Sequence, residues 1–257
     1  MESNKKTYSD KKVIAYYEKY LGLQKPEQSI FNLLQSNLLN IKMLDIGIGA
    51  GRTTTHFAPY VKEYIGVDYA VGMVEACKKK YVNKFPKAIF EVVDVRKLDK
   101  YRENEFDFAL FSFNGIDYIT PDERFLALQE INRILKPNGY FCFSSHNIQS
   151  LEKPASLKLR LNLFALIKQQ ITWQKVKKIN KNQFIKLQTS DFICINDGAH
   201  DFGLQTHYFR PTSQQHILSK VGFKNTRFFS LNSGLEIDSK SISTTTDRWI
   251  YYLCQKN

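Results

Sequence analysis

The chain has 257 residues, enough for one well-buried core or at most two small ones. Its 43% hydrophobic and 24% charged content, with 12 Gly and 7 Pro, excludes wholesale disorder and collagen-like or low-complexity architecture. No stretch approaches the roughly 18 apolar residues of a spanning helix, the polar run Met1 to Asp10 lacks the apolar core of a secretion signal, and the net charge of +12 favours an anionic partner.

In chain order, Lys11 to Leu21 and Glu27 to Leu39 carry apolar residues at helical spacing, with Gly22 and Pro26 between them. Ile41–Ile46 predicts a short buried strand and Arg52–Ala58 a helix stopped by Pro59. Glu63–Val67 predicts a second strand, Val71–Tyr81 a helix, Ile89–Val93 a third strand and Phe106–Phe111 a fourth. Asp122–Leu135 predicts a helix ended by the Pro-Asn-Gly turn at 137–139, and Tyr140–Ser144 a fifth strand. Strands alternating with helices imply βαβ units and a parallel sheet covered on both faces. After a helix at Thr212–Val221, the strands Phe223–Ser230 and Arg248–Cys254 follow with no helix between them, an antiparallel pair closing the sheet edge. Residues 150–210 break the alternation. From Lys153 through Ser190 they hold nine basic residues and no acid. The expected organisation is a helical cap over 1–40, a core over 41–149 and 211–257, and a basic substrate-lid insertion over 150–210.

The stretch from Met43 to Thr53 is a strand running into a glycine-rich turn, which brings backbone N–H groups close to a ligand at the strand's carboxyl end. Its glycines are Gly47, Gly49 and Gly51, so the third falls one residue too early for a dinucleotide fingerprint, and Arg52 stands where that pattern needs a small residue. Asp45, ahead of the first glycine, would repel a pyrophosphate and attract a cation. No Gly-Lys-Ser/Thr follows, which excludes a nucleoside-triphosphate loop. Asp68, at the end of the second strand, is placed to accept both hydroxyls of a ribose. Asp94, at the end of the third, is placed with its neighbouring N–H to read the amino edge of adenine. The sum is a site for a nucleoside that carries a positive charge.

With these residues the sequence resembles the class I S-adenosylmethionine-dependent methyltransferases, from about Ile41 to Ser145 and again over Thr212–Cys254. Asp45-x-Gly47-x-Gly49-x-Gly51 matches the family's first motif, Asp68 its ribose acid, Asp94 its adenine-side acid, and the helix-free C-terminal pair its reversed final hairpin. The resemblance implies an α/β, Rossmann-like doubly wound seven-stranded sheet of order 3-2-1-4-5-7-6 with the last strand antiparallel. It implies S-adenosylmethionine as cofactor and S-adenosylhomocysteine as product. It also implies that Tyr17, Ile48 and Arg52, then Tyr69, Met73 and Val95, and finally Phe111, Ser112 and Phe113, join those acids and glycines around the cofactor. Arg52 either pairs with the cofactor carboxylate or begins its helix, and Tyr8, Tyr16 and Tyr17 sit in the cap, where they form either a helix-packing stripe or an aromatic hydroxyl set against the methionine end.

Methyl transfer from a sulfonium is an in-line displacement in which positioning counts for much, and a general base helps only where the acceptor is protonated. His146, directly after the fifth strand, is the best-placed base or acceptor contact, with Asn114 beside the methyl group. His200 and His207 flank Asp201 on the loop and strand leading to Tyr208, so His207 is a catalytic candidate, and His200, Tyr208 and Asn147 are acceptor contacts. Two His and one Asp on one short segment, without a helical i, i+4 pair, do not make a metal site. Cys77, Cys142, Cys194 and Cys254, far apart and without a CxxC, read as reduced thiols of a cytoplasmic enzyme. The expected activity is methylation of an oxygen or nitrogen atom of a small-molecule, sugar or natural-product-like acceptor, and the basic insertion would suit an anionic one. The alternative is an RNA methyltransferase that uses the insertion to bind nucleic acid.

Overall fold

In the computed structural model, which describes residues 10–152, 163–199 and 202–257, two short helices, Lys11–Tyr17 (α1) and Lys25–Leu34 (α2), lead into the sheet. The strands Lys42–Ile46 (β1), Glu63–Asp68 (β2), Ile89–Val92 (β3), Phe106–Phe111 (β4) and Leu135–Asn147 (β5) are parallel neighbours in the order β3-β2-β1-β4-β5. β1 and β4 are buried almost throughout instead of alternating, as strands covered on both faces must be. Alternate residues feed two cores. Leu44, Ile46, Phe106 and Ala109 pack on one side of the sheet, and Met43, Phe108 and Leu110 on the other.

Thr54–Phe57 (α3), Val71–Tyr81 (α4) and Pro121–Ile134 (α5) cross between strands. α5 starts at a capping box, in which the Thr120 side chain accepts from the Glu123 N–H and Glu123 reaches back to the Thr120 N–H, with Pro121 at the first helical position. The insertion then supplies Gln149–Glu152 (α6), Leu163–Ile179 (α7), Lys181–Ile185 (α8), Phe192–Ile195 (β6) and Thr206–Phe209 (β7). Pro211–Val221 (α9), Phe223–Ser230 (β8) and Trp249–Lys256 (β9) complete the chain. β9 lies antiparallel between β5 and β8, so β9 takes the place beside β5 and β8 the place beyond it, as strands seven and six of the expected order.

The sheet has nine strands, not the seven expected. β5 passes the tip of β4, whose pairing ends at Phe111 against Phe143, and the edge left bare is taken by β7, which runs parallel to β5 at His146 and Asn147. β6 folds back antiparallel on β7. An overrunning strand leaves backbone donors and acceptors that need partners, and the hairpin supplies them. Other boundaries move for local reasons. The fifth strand is continuous from Leu135, because Asn138 takes a left-handed φ of 61° and the register slips opposite Phe106 and Phe108. The helix after the glycines begins at Thr54 instead of Arg52, and the second N-terminal helix gives way to a 3-10 turn over Gln35–Asn40. No helix among the described residues is long and apolar enough to cross a membrane.

Candidate functional site

The tips of the first four strands and the loops after them enclose a cleft of about 890 Å³, counting its open mouth. The glycine turn forms one wall. Gly49 has a φ of +53°, and a Cβ built on it would project into open space, with nothing nearer than Tyr17 Cδ1 at 4.0 Å. That bare backbone faces the cleft. Gly51, expected to serve the same ligand, lines no part of it. A Cβ there would strike Tyr81 Cε2 at 2.4 Å and Cys77 Sγ at 3.0 Å, so its φ of +78° and missing side chain let α4 pack against the turn.

Asp68 lies at the bottom of the cleft, its carboxylate accepting from the N–H of Gly49 at 3.0 Å and of Ala70 at 2.9 Å. Burial pushes its carboxyl up to about 6. Tyr69, Met73 and Val95 line one side, and Phe111, Ser112 and Phe113 the other, with Tyr17 reaching in from α1. Asp94 also lines the cleft, but its carboxylate is taken by Arg96, whose backbone N–H and guanidinium both donate to it and hold it below the usual carboxylate range. Arg96 bonds Glu123 as well, at 2.6 Å.

A smaller cavity adjoins the cleft, and Asp45, Ile48 and Arg52 line it together with Tyr17 and Tyr20. One oxygen of Asp45 is held by Thr53 Oγ1 at 2.5 Å and Tyr64 OH at 2.6 Å, and burial pushes its carboxyl up to about 6. Arg52 neither begins its helix nor stands free for a ligand carboxylate. Its fork closes on Glu27 of α2 at 2.5 and 2.6 Å, and it donates further to Gly22 O and Ser112 Oγ. Burial opposes both charges, yet the pair keeps Glu27 ionised below its ordinary range. Tyr16 is exposed and shares a hydrogen bond with Tyr20, while Tyr8 lies outside the described residues.

The acceptor-side candidates gather beyond this cleft, at the end of β5. His146 Nδ1 lies 2.7 Å from Asp117 Oδ2, which also accepts the His146 backbone N–H at 2.7 Å. Asp117 accepts from Ser145 Oγ and from Arg124, a fully buried guanidinium that also bonds Gln214 and lies 4.2 Å over the Phe209 ring. Burial alone would raise Asp117, but Arg124 and His146 hold it below the usual range. Asn114 has a φ of 60°, its N–H bonded to Ser144 Oγ at 2.8 Å and its Nδ2 lying 3.4 Å from His146 Nε2. His207 gives its Nδ1 to the carbonyl of Asp117, and burial lowers it. Asn147 Nδ2 donates to the carbonyls of Thr245 and Asp247 and so clamps the chain that leads to β9. Tyr208 lies against His146, ring centroids 4.7 Å apart, and donates to Asp197. His200 and Asp201 lie outside the described residues. The described part of the insertion lines neither cavity, and it reaches the site through β7. Sequence reasoning missed Asp117, Arg124 and Glu27. Among the described residues no group of three His, Cys, Asp or Glu is placed to hold a metal ion.

Residues 43–139 match the family model described as a methyltransferase domain. Those residues therefore carry the sequence pattern of a methyltransferase domain, and the likeness to that model goes no further along the chain. The uncharacterized methyltransferase YcgJ of Bacillus subtilis is 31% identical over 105 residues, 41% of this chain and 40% of that protein. The chain spans 40 to 62% of the length of the curated relatives it matches. Among solved structures, the CcbJ methyltransferase of Streptomyces caelestis superposes with a TM-score of 0.64 at 14% identity, covering 97% of this chain and 98% of that one. The 1,6-didemethyltoxoflavin-N1-methyltransferase of Burkholderia thailandensis, solved with its substrate and S-adenosylhomocysteine, gives 0.54 at 15% identity, covering 90% and 80%. These structures share the methyltransferase fold.

Proposed function

We propose that the chain moves the methyl group of S-adenosylmethionine to an oxygen or nitrogen atom of a small-molecule, sugar or natural-product-like acceptor. The observation that carries this reading is the charge left over in the two cavities. Arg96 is matched by Asp94 and Glu123, and Arg52 by Glu27, whereas neither Asp45 nor Asp68 forms a salt bridge among the described residues. Two surplus carboxylates beside a bare glycine backbone favour a cationic nucleoside over a pyrophosphate. The lining fits that group. Asp68 would take the ribose hydroxyls, the segment Asp94–Val95 the adenine, and Tyr17 with the smaller cavity the methionine end. When bound, the cofactor supplies a methyl carbon on a positively charged sulfur, ready for in-line displacement. Asn114 and His146 stand on the acceptor side, where His146 as general base contributes about 10²–10⁴-fold for a protonated acceptor. The small-molecule methyltransferase of B. thailandensis, a neighbour in fold, supports this class of acceptor.

Calorimetry tests the reading. S-adenosylhomocysteine is expected to bind saturably and NADH not to compete, and preferential binding of NADH would overturn it. A metabolite screen for release of the demethylated cofactor then identifies the acceptor.

A further inference from the structure

Five rings run in contact from the N-terminal cap to the insertion: Tyr20 to Phe113 at 5.7 Å between centroids, Phe113 to Trp249 at 5.1 Å, Trp249 to His146 at 5.6 Å, and His146 to Tyr208 at 4.7 Å. Phe113 belongs to the cleft wall, and so do Gly115 and Tyr118, which with it bracket Asn114 and Asp117. The aromatic run therefore joins the cleft, at Phe113, to the imidazole, with Tyr20 beyond one end and Tyr208 beyond the other. At that imidazole one hydrogen bond is unmade. Asn114 is 1% exposed, its Oδ1 has no hydrogen-bond partner, and its Nδ2 reaches His146 Nε2 only at 3.4 Å. A buried amide oxygen left without a donor is costly in a finished site.

We propose that the acceptor is a planar aromatic molecule bearing an ionisable hydroxyl, gripped by these rings, and that Asp117 is the positioning residue which holds His146 to receive its proton. The proposal rests on the methyltransferase reading above. The aromatic side chains of Phe113 and Tyr118 in the cleft wall favour a planar partner, and the hydroxyl donates its single proton to Nε2, a closer partner than the Asn114 amide at 3.4 Å. Asp117 accepts from Nδ1, which leaves Nε2 with its lone pair toward Asn114. Arg124, anchored by Ile116 O and Gln214, keeps the carboxylate ionised. The other titratable neighbours stay neutral near pH 7, because burial raises Tyr208 and lowers His207. In the reaction the hydroxyl proton passes to Nε2, and the oxygen's electron pair forms the bond to the methyl carbon. The carbon–sulfur pair remains on sulfur, which becomes neutral, and the imidazolium later releases the proton to solvent.

The probe is 4-nitrophenol, whose ionised form absorbs in the visible. It is titrated into protein saturated with S-adenosylhomocysteine, in a Trp173→Phe background that leaves Trp249 as the single tryptophan of the chain. The expected result is saturable quenching of Trp249, with the bound probe ionised at lower pH than in buffer, while 4-nitroanisole, which has no proton to give, quenches without any visible band. Asp117→Asn is expected to move the titration of the bound probe back by about one pKa unit or more, and His146→Gln to do the same with the Asp117–Arg124 pair intact, should the first variant fail to fold. Absence of saturable quenching while S-adenosylhomocysteine still binds would overturn the aromatic acceptor alone, and loss of both would overturn the cofactor reading. A probe titration unmoved in either folded variant would remove His146 and Asp117 from proton transfer.

Discussion

Burial holds the Asp68 carboxyl up to about 6 although two backbone N–H groups donate to it, from Gly49 and Ala70. The carboxylate thus ties the glycine turn to β2 and still has lone pairs for a ligand's hydroxyls. Its raised folded-state value fixes the sign of two pH effects. Between about pH 4 and 6 the folded protein keeps a proton that the unfolded chain has lost, so the stability supplied by Asp68 is largest at low pH and declines as pH rises through that window. Affinity runs the other way, because only the ionised form accepts both hydroxyls. Affinity for S-adenosylhomocysteine should weaken as pH falls below 6, by up to about tenfold per unit. Asp68→Asn should bind weakly and with a shallower pH dependence across pH 5 to 8, the remaining slope belonging to Asp45, whose carboxyl burial also pushes up to about 6, as calorimetry would read. Gly49, Asp68 and Asp94 were legible from the sequence because each stands at the tip of a strand in a contiguous motif. Asp117 was not, since its meaning depends on Arg124, Ser145 and His146 arriving from elsewhere in the fold, and no local pattern records such pairings.

Element α2 is held by a buried ion pair as well as by Ile30 and Leu34 in the core. Glu27 has no exposed side-chain surface, and beyond Arg52 it accepts from the Tyr251 hydroxyl at 2.8 Å and from the Gln24 N–H at 2.7 Å, which joins the cap to β9. Removing one partner of a buried pair strands the other charge away from water, a loss of about 3–5 kcal/mol. Glu27→Ala is therefore expected to lower the unfolding free energy by that order in urea titration, and Glu27→Gln, which keeps the shape and one acceptor oxygen, by less. Arg52 read as a residue facing a ligand because sequence spacing places it beside the glycines; only the folded cap brings Glu27 to it. The helices and parallel strands were readable from periodicity, whereas the early start of β5 at Leu135 was hidden by the Pro-Asn-Gly turn at 137–139, which the sheet absorbs as an irregularity.

At the scale of the whole molecule the positive charge and the cofactor cleft are separate. Lys175, Lys177, Lys178 and Lys181 are exposed on α7 and α8, and neither cavity draws a lining residue from those helices. Replacing the four with Ser is expected to leave affinity for S-adenosylhomocysteine within about twofold, since screened surface charges at a distance act weakly. A steep, salt-dependent binding of single-stranded RNA by the unaltered chain, lost in the fourfold variant, would instead favour the nucleic-acid alternative.

The hairpin of β6 and β7 meets the rest of the sheet at only two ladder positions, whereas the other strands are joined along most of their length. Lengthening, trimming or exchanging that appendage would leave the hydrogen-bond ladder of the other seven strands whole.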